Sequence, residues 1–128
     1  MTIPGKKYIA LIGSIGEVFE EGAKDTLYFE NAYDLYEDSS WVQTINAFDS
    51  YLAEFNHPIF ELEALYFNGT AHLNIGENEK GHLSYVKLLE KTQNRFTERA
   101  ASFSAKHEYD KENFDQAIVY YEKLLQSA

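Results

Sequence analysis

Four histidines, His57, His72, His82 and His107, and 21 carboxylates are the groups of this 128-residue chain that could move protons or hold a metal. Two Glu-x-x-His matches stand out, Glu54-Phe-Asn-His57 and Glu79-Lys-Gly-His82. On a helix that spacing puts carboxylate and imidazole on one face. Two such pairs on facing helices, with further glutamates such as Glu30 and Glu61, make the ligand set of a di-iron carboxylate centre. The local context opposes it: His57 directly precedes Pro58 and Gly81 lies inside the second match, so both pairs belong at helix ends. Ser14 in Gly13-Ser-Ile-Gly16 is no nucleophile elbow, which needs Gly-x-Ser-x-Gly between strand and helix. The same glycines lack the Lys-Ser/Thr of a phosphate loop. No Asp-x-Asp-x-Asp-Gly calcium loop occurs, and without cysteine there is no thiolate nucleophile, disulfide or thiolate zinc site. The expectation is a protein with no catalytic, cofactor-binding or metal-binding residues, and not an enzyme.

Charge is more informative. From Asp25 to Glu79 there are eleven carboxylates and no Lys or Arg, while the remaining residues come to about +1, so the net charge of −10 belongs to one region. A field of one sign speeds encounter with a cationic partner and repels nucleic acid and anionic membrane. Aromatics run through the same stretch and supply contact energy where carboxylates supply steering. Glu30, Tyr33, Asp34, Glu37, Asp38 and Trp41 are therefore the expected partner-binding residues. The expected partner is a basic protein, with no direct nucleic acid, no membrane and no small-molecule substrate. By contrast Lys87, Lys91, Arg95 and Arg99, spaced by four with Glu90 and Glu98 beside them, read as a salt-bridged solvated face of one helix.

Helical spacing positions these groups. The chain reads as a single all-α domain over 1–128, with about six helices in antiparallel hairpins. Ile9, Ile12, Ile15 and Phe19 share a face of a first helix that Gly22 can end; this segment reads as a helix and not as a secretory signal, since its apolar run is short and Glu17 closes it. Asp25 or Thr26 can cap a second helix, with Tyr28, Ala32, Leu35 and Tyr36 on one side and carboxylates on the other. Trp41, Ile45, Phe48, Leu52 and Phe55 follow the amphipathic pattern closely behind a Ser39 or Ser40 cap. Pro58 starts the next helix, lined by Ile59, Leu62, Leu65 and Tyr66, which ends near Gly76. A long helix is expected from about Lys80 to Ser104, carrying Val86, Leu89, Phe96, Ala100 and Phe103, and a last one from Lys111. No apolar run approaches membrane-spanning length, and the absence of cysteine suits the cytoplasm.

Leu65, Gly69, His72, Gly76, Gly81, Tyr85 and Leu88 fall at the spacings of a tetratricopeptide repeat, and Ala105 with Phe114–Leu125 fits part of a second unit. The second half thus resembles a degenerate tetratricopeptide pair. Its interval from Gly81 to Ala117 is 36 residues, against about 34 in that family. His72 and Glu108 replace aromatics, Asn68 and Ser104 replace apolar residues, and Glu112 stands where glycine is usual. The resemblance implies helical hairpins and a protein-binding scaffold.

In its opening Met1-Thr-Ile-Pro-Gly-Lys-Lys-Tyr-Ile-Ala10 and its acidic run Tyr28–Asp38, the chain resembles the immunity proteins of bacterial contact-dependent growth inhibition systems. It is most similar to the all-helical type that protects against a tRNA-cleaving toxin domain. That resemblance implies a cytoplasmic toxin–antitoxin partner that occludes the active site of a basic nuclease with carboxylates and aromatics. An adaptor or secretion chaperone of tetratricopeptide type is the alternative, and a nucleic-acid mimic the third.

Overall fold

The computed structural model describes residues 14–127. They form six helices: α1 (Ser14–Glu37), α2 (Trp41–Glu54), α3 (Glu61–Asn74), α4 (Asn78–Leu89), α5 (Thr97–Asp110) and α6 (Phe114–Ser127). No strand occurs among the described residues. Each helix packs chiefly on its neighbours in sequence, so the expected all-α hairpin architecture is what the chain adopts. None of the described helices is long and apolar enough to cross a membrane. Ile9, Ile12 and the Met1–Ala10 segment lie outside the described residues.

The three hairpins are built alike. Each pair is joined by three residues whose middle member is left-handed: Ser39 (φ 59°), Gly76 (φ 83°) and Glu112 (φ 63°). In each, that residue's N–H reaches the carbonyl three residues back and the following N–H the carbonyl five back. The pairs are Ser39 to Tyr36 and Ser40 to Leu35 (both 3.0 Å), Gly76 to Leu73 (3.0 Å) and Glu77 to His72 (2.9 Å), and Glu112 to Tyr109 and Asn113 to Glu108 (both 2.9 Å). This is the Schellman closure of a helix C-terminus. Small side chains recur on the facing helices: Ala32 with Thr44, Gly69 with Gly81, and Ala105 with Ala117, all buried. The repeat seen in the sequence of the second half thus extends geometrically to the first. Glu112 occupies a conformation that costs a side-chain-bearing residue roughly 1 kcal/mol. Glu112→Gly is therefore expected to raise stability by up to about 1 kcal/mol in chemical denaturation.

The second hairpin closes tightly. A Cβ on Gly81 would lie 2.9 Å from the Gly69 carbonyl oxygen and 2.6 Å from a methyl of Leu73. The backbone contact cannot be relieved by a rotamer change, so α3 and α4 would have to part. Gly81→Ala is expected to cost about 1–2 kcal/mol net, the overpacking exceeding alanine's helix preference of about 1 kcal/mol. A thermal melt measures it.

The core lies along the inner faces. Ala32, Phe48, Tyr51, Phe55 and Ala64 form a cluster around the first hairpin. Leu65, Tyr66, Tyr85, Leu88, Leu89, Ala100, Ala101, Ala105 and Tyr120 form one across the others, and Leu52 and Phe67 pack against both. Burial pushes the Tyr85 phenol up to about 12, and its oxygen lies 2.7 Å from the Thr70 hydroxyl. An unfolded tyrosine titrates near 10. The folded state therefore keeps its proton where the unfolded state has lost it, and this contribution is present below about pH 10 and lost as pH rises through about 12. Stability should fall over that window by an amount on the order of 2 kcal/mol more in the wild type than in Tyr85→Phe, as read by equilibrium unfolding across alkaline pH.

Several expectations are corrected: the helix expected from Pro58 begins at Glu61, and Ile59 stands exposed ahead of it instead of lining it. Gly22 does not end a helix, and neither Asp25 nor Thr26 caps one: α1 runs unbroken from Ser14 to Glu37, its tertiary contacts outweighing a glycine penalty of about 1 kcal/mol. The helix expected over 80–104 is two helices. The Asn94 carboxamide oxygen accepts the Phe96 N–H (2.9 Å), and the Asn94 N–H donates to the Thr97 hydroxyl (2.9 Å), so side chains there compete with helical bonding and set the start of α5. The Lys/Arg stripe consequently does not lie on one helix. Lys91 and Arg95 sit in the turn and pair across to α3, with Glu61 (3.2 Å) and Glu63 (3.0 Å). The last helix begins at Phe114, and Lys111 belongs to the connector.

Candidate functional site

Glu30, Asp34 and Glu37 follow one another at i, i+4 and i+7, so the continuous α1 places them on a single face. All three are exposed, as is Asp38 in the connector to α2. Among the described residues, none of these four carboxylates has a Lys, Arg or His within 4.0 Å. Some carboxylates elsewhere are matched, Glu61 by Lys91, Glu63 by Arg95, Glu79 by Lys111 and Asp110 by Lys106. Like charges at i, i+4 repel by a few tenths of a kcal/mol. Among the described residues the α1 face therefore carries an uncompensated negative field, and a cationic partner would relieve it.

Tyr33 and Trp41 are placed differently. Both are half-buried. Tyr33 packs against Phe29 (6.0 Å), Tyr36 (6.1 Å) and Phe67 (5.2 Å), and Trp41 stands edge-on to Tyr36 at 5.6 Å. They border the acidic face but are partly committed to the seam between α1 and α3. The Glu37 carboxylate next to it, with some burial, raises the Tyr33 phenol above its ordinary range. Beyond Tyr33 that seam opens into a hollow of about 300 Å³ lined by Phe29, Phe60, Phe67 and Phe96, with Glu63 and Arg95 at its rim. The Arg95 guanidinium lies over the Phe96 ring at 4.5 Å. Acidic face and aromatic hollow adjoin on the side where α1, α3 and α5 follow one another.

No protein-family model, curated protein or solved structure matches the chain. Its site is accordingly built from its own residues.

Two clusters escape a reading along the sequence. Asp25, expected as a cap, is buried midway along α1 and accepts hydrogen bonds from the Tyr51 hydroxyl of α2 and from the Ile59 N–H (3.0 Å) at the approach to α3. Tyr51 in turn accepts the Phe60 N–H at 3.0 Å. Burial, and then the hydrogen bond to Asp25, push the Tyr51 phenol far up. The second cluster joins α4 to α5. Of the two Glu-x-x-His pairs, Glu54/His57 separates: Glu54 pairs with Lys24 (3.1 Å) and His57 is exposed in a loop. Glu79/His82 instead faces His107 and Glu108. The signal was in the sequence as an adjacent His107-Glu108, but nothing local to it says what it faces.

Proposed function

We propose that this chain is a toxin-neutralising immunity protein of the cytoplasm, binding a basic nuclease domain of tRNA-cleaving type and covering its active site. The observation that carries this is the carboxylate face of Glu30, Asp34 and Glu37 on a continuous helix, with Asp38 just beyond it, unpaired among the described residues and bordered by Tyr33 and Trp41. A nuclease cleft is built to take phosphates and bases; carboxylates and aromatic rings in fixed positions can fill it in their place. Nothing in this role requires the protein to do chemistry itself.

The repeated hairpins favour a second reading. The hollow between Phe29, Tyr33, Phe60, Phe67 and Phe96 suits an apolar anchor of a peptide or effector, as in an adaptor or secretion chaperone. One experiment separates them. The protein serves as bait in a lysate of its own source, at low salt and again at about 0.5 M, where charge steering is largely screened. The immunity function predicts one basic partner with a small nuclease-like C-terminal domain, retained at high salt, whose RNA cleavage stops on binding. Recovery of several weak clients, or of one acidic secreted effector, overturns it in favour of the adaptor.

A further inference from the structure

We infer that His82, His107 and Glu108 form a binding site for a divalent transition-metal ion of the zinc type. One donor atom from each lies within 4.8 Å of the others. His82 comes from α4, and His107 and Glu108 from adjacent positions in α5, so the site spans the junction between the second and third hairpins. His82 and Glu108 are buried, and the two imidazole centroids are 4.5 Å apart.

Each of the three side chains has a hydrogen-bond partner that holds it in place. His82 Nδ1 shares a hydrogen bond with the Ser104 hydroxyl (3.0 Å), which leaves Nε2 turned to Glu108 Oε2 at 4.0 Å. Glu108 Oε1 accepts from the Asn113 carboxamide (3.4 Å). His107 Nε2 lies 3.0 Å from Glu79 Oε1, itself 3.1 Å from the Lys111 ammonium. Carboxylate and hydroxyl partners of this kind fix ring orientation and tautomer in zinc sites. With metal–ligand bonds of about 2.0–2.2 Å, tetrahedral donors stand roughly 3.4 Å apart. The 4.0 Å gap between His82 and Glu108 is therefore close to coordination distance and closes by about half an ångström of side-chain movement. Two imidazoles with one carboxylate select zinc, copper, nickel or cobalt over magnesium and calcium, which want oxygen. Three protein donors leave a fourth position for water. The ion would lock α4 to α5.

The probe is Zn²⁺ titrated into chelator-treated full-length protein near neutral pH, followed by calorimetry, with Co²⁺ as the spectroscopic substitute. The expected result is one equivalent per chain with a dissociation constant on the order of micromolar, a rise in melting temperature, and the strong visible absorption of four-coordinate Co²⁺. His107→Asn should weaken binding at least about tenfold, and Glu79→Gln by roughly tenfold through His107, while His57→Asn changes nothing. Should variants of the junction fail to fold, the histidine ring resonances of the wild type decide: His82 and His107 shift on adding Zn²⁺, His57 and His72 do not. No saturable binding, or binding that His107→Asn leaves intact, or shifts confined to His57 or His72, overturns the assignment.

Discussion

Asp25→Ala is expected to destabilise the fold by about 4 kcal/mol and to lower the melting temperature by more than about 10 °C. The side chain accepts two hydrogen bonds in a buried place, one from the Tyr51 hydroxyl and one from the Ile59 N–H. Alanine leaves both donors without partners, at roughly 1–3 kcal/mol each. The few tenths of a kcal/mol that alanine gains in helix preference do not offset this. The loss also spreads: Tyr51 accepts the Phe60 N–H (3.0 Å), so the hydrogen bonds of this pair help fix the chain segment leading into α3 to α1 and α2, beside the stacking of Phe60 on Phe29 (4.4 Å). Tyr51→Phe should cost less, about 2 kcal/mol, since the carboxylate retains the Ile59 N–H. The double variant should fall short of the sum of the two, because each single change strands a partner that the double change removes. Urea unfolding of the four proteins reads out the coupling. If Asp25→Ala shifts stability no more than Asp34→Ala, an exposed control expected to stay within about 0.5 kcal/mol, the network does not hold the first hairpin to the stack.

Asp25 also shows where a sequence stops being legible. Its partners lie 26 and 34 residues on, so beside Gly22 and Thr26 it resembles a helix cap, and only the tertiary fold turns it into an acceptor for the entry to α3. The expected helix over 80–104 failed differently. Val86, Leu89, Phe96, Ala100 and Phe103 keep one apolar spacing across the turn because α4 and α5 feed the same core, so periodicity continues where the backbone does not. What was legible depends on local pattern alone. Trp41 to Phe55 gave α2 with its Ser40 boundary, and Gly69, Gly76 and Gly81 marked a close hairpin that the geometry shows to be tight. The first hairpin hid its kinship because Thr44 stands where Gly81 does, Ser39 where Gly76 does, and the interval is 37 residues in place of 36. Exposure of Glu30, Asp34, Glu37 and Asp38 matches the general tendency of carboxylates to stay in water, from which Asp25 departs. The His82–His107–Glu108 junction was not legible as a cluster, because His82 and His107 are 25 residues apart on two helices that had to meet first.

Charge reversal at Asp34 and Glu37 should slow association with the basic partner proposed above by at least about tenfold at low salt and flatten its salt dependence. Asp34→Lys with Glu37→Lys takes the net charge from −10 to −6, and the change falls on a face that no cation of the described residues compensates. A new lysine at 34 stands four residues from both Glu30 and Asp38, a spacing that favours the helix by a few tenths of a kcal/mol, and both positions are exposed, so folding should be preserved. Affinity should drop by more than the on-rate, because at contact a lysine meets a cation that the carboxylate had neutralised, and unpaired like charges in a desolvated interface cost several kcal/mol. The control matters as much as the variant. Asp115→Lys with Glu122→Lys on exposed positions of α6 shifts net charge equally while leaving α1 untouched. Steering by total charge alone would slow both pairs alike. A local docking face slows the α1 pair far more and moves the dissociation rate only there. Stopped-flow association with each pair at two salt concentrations distinguishes these cases, and equal slowing would place the interface away from α1. Trp41→Ala in the same assay separates steering from contact: an aromatic at the rim of the acidic face should leave the on-rate nearly unchanged and raise the off-rate, since on-rates follow the field and residence times follow the buried contacts.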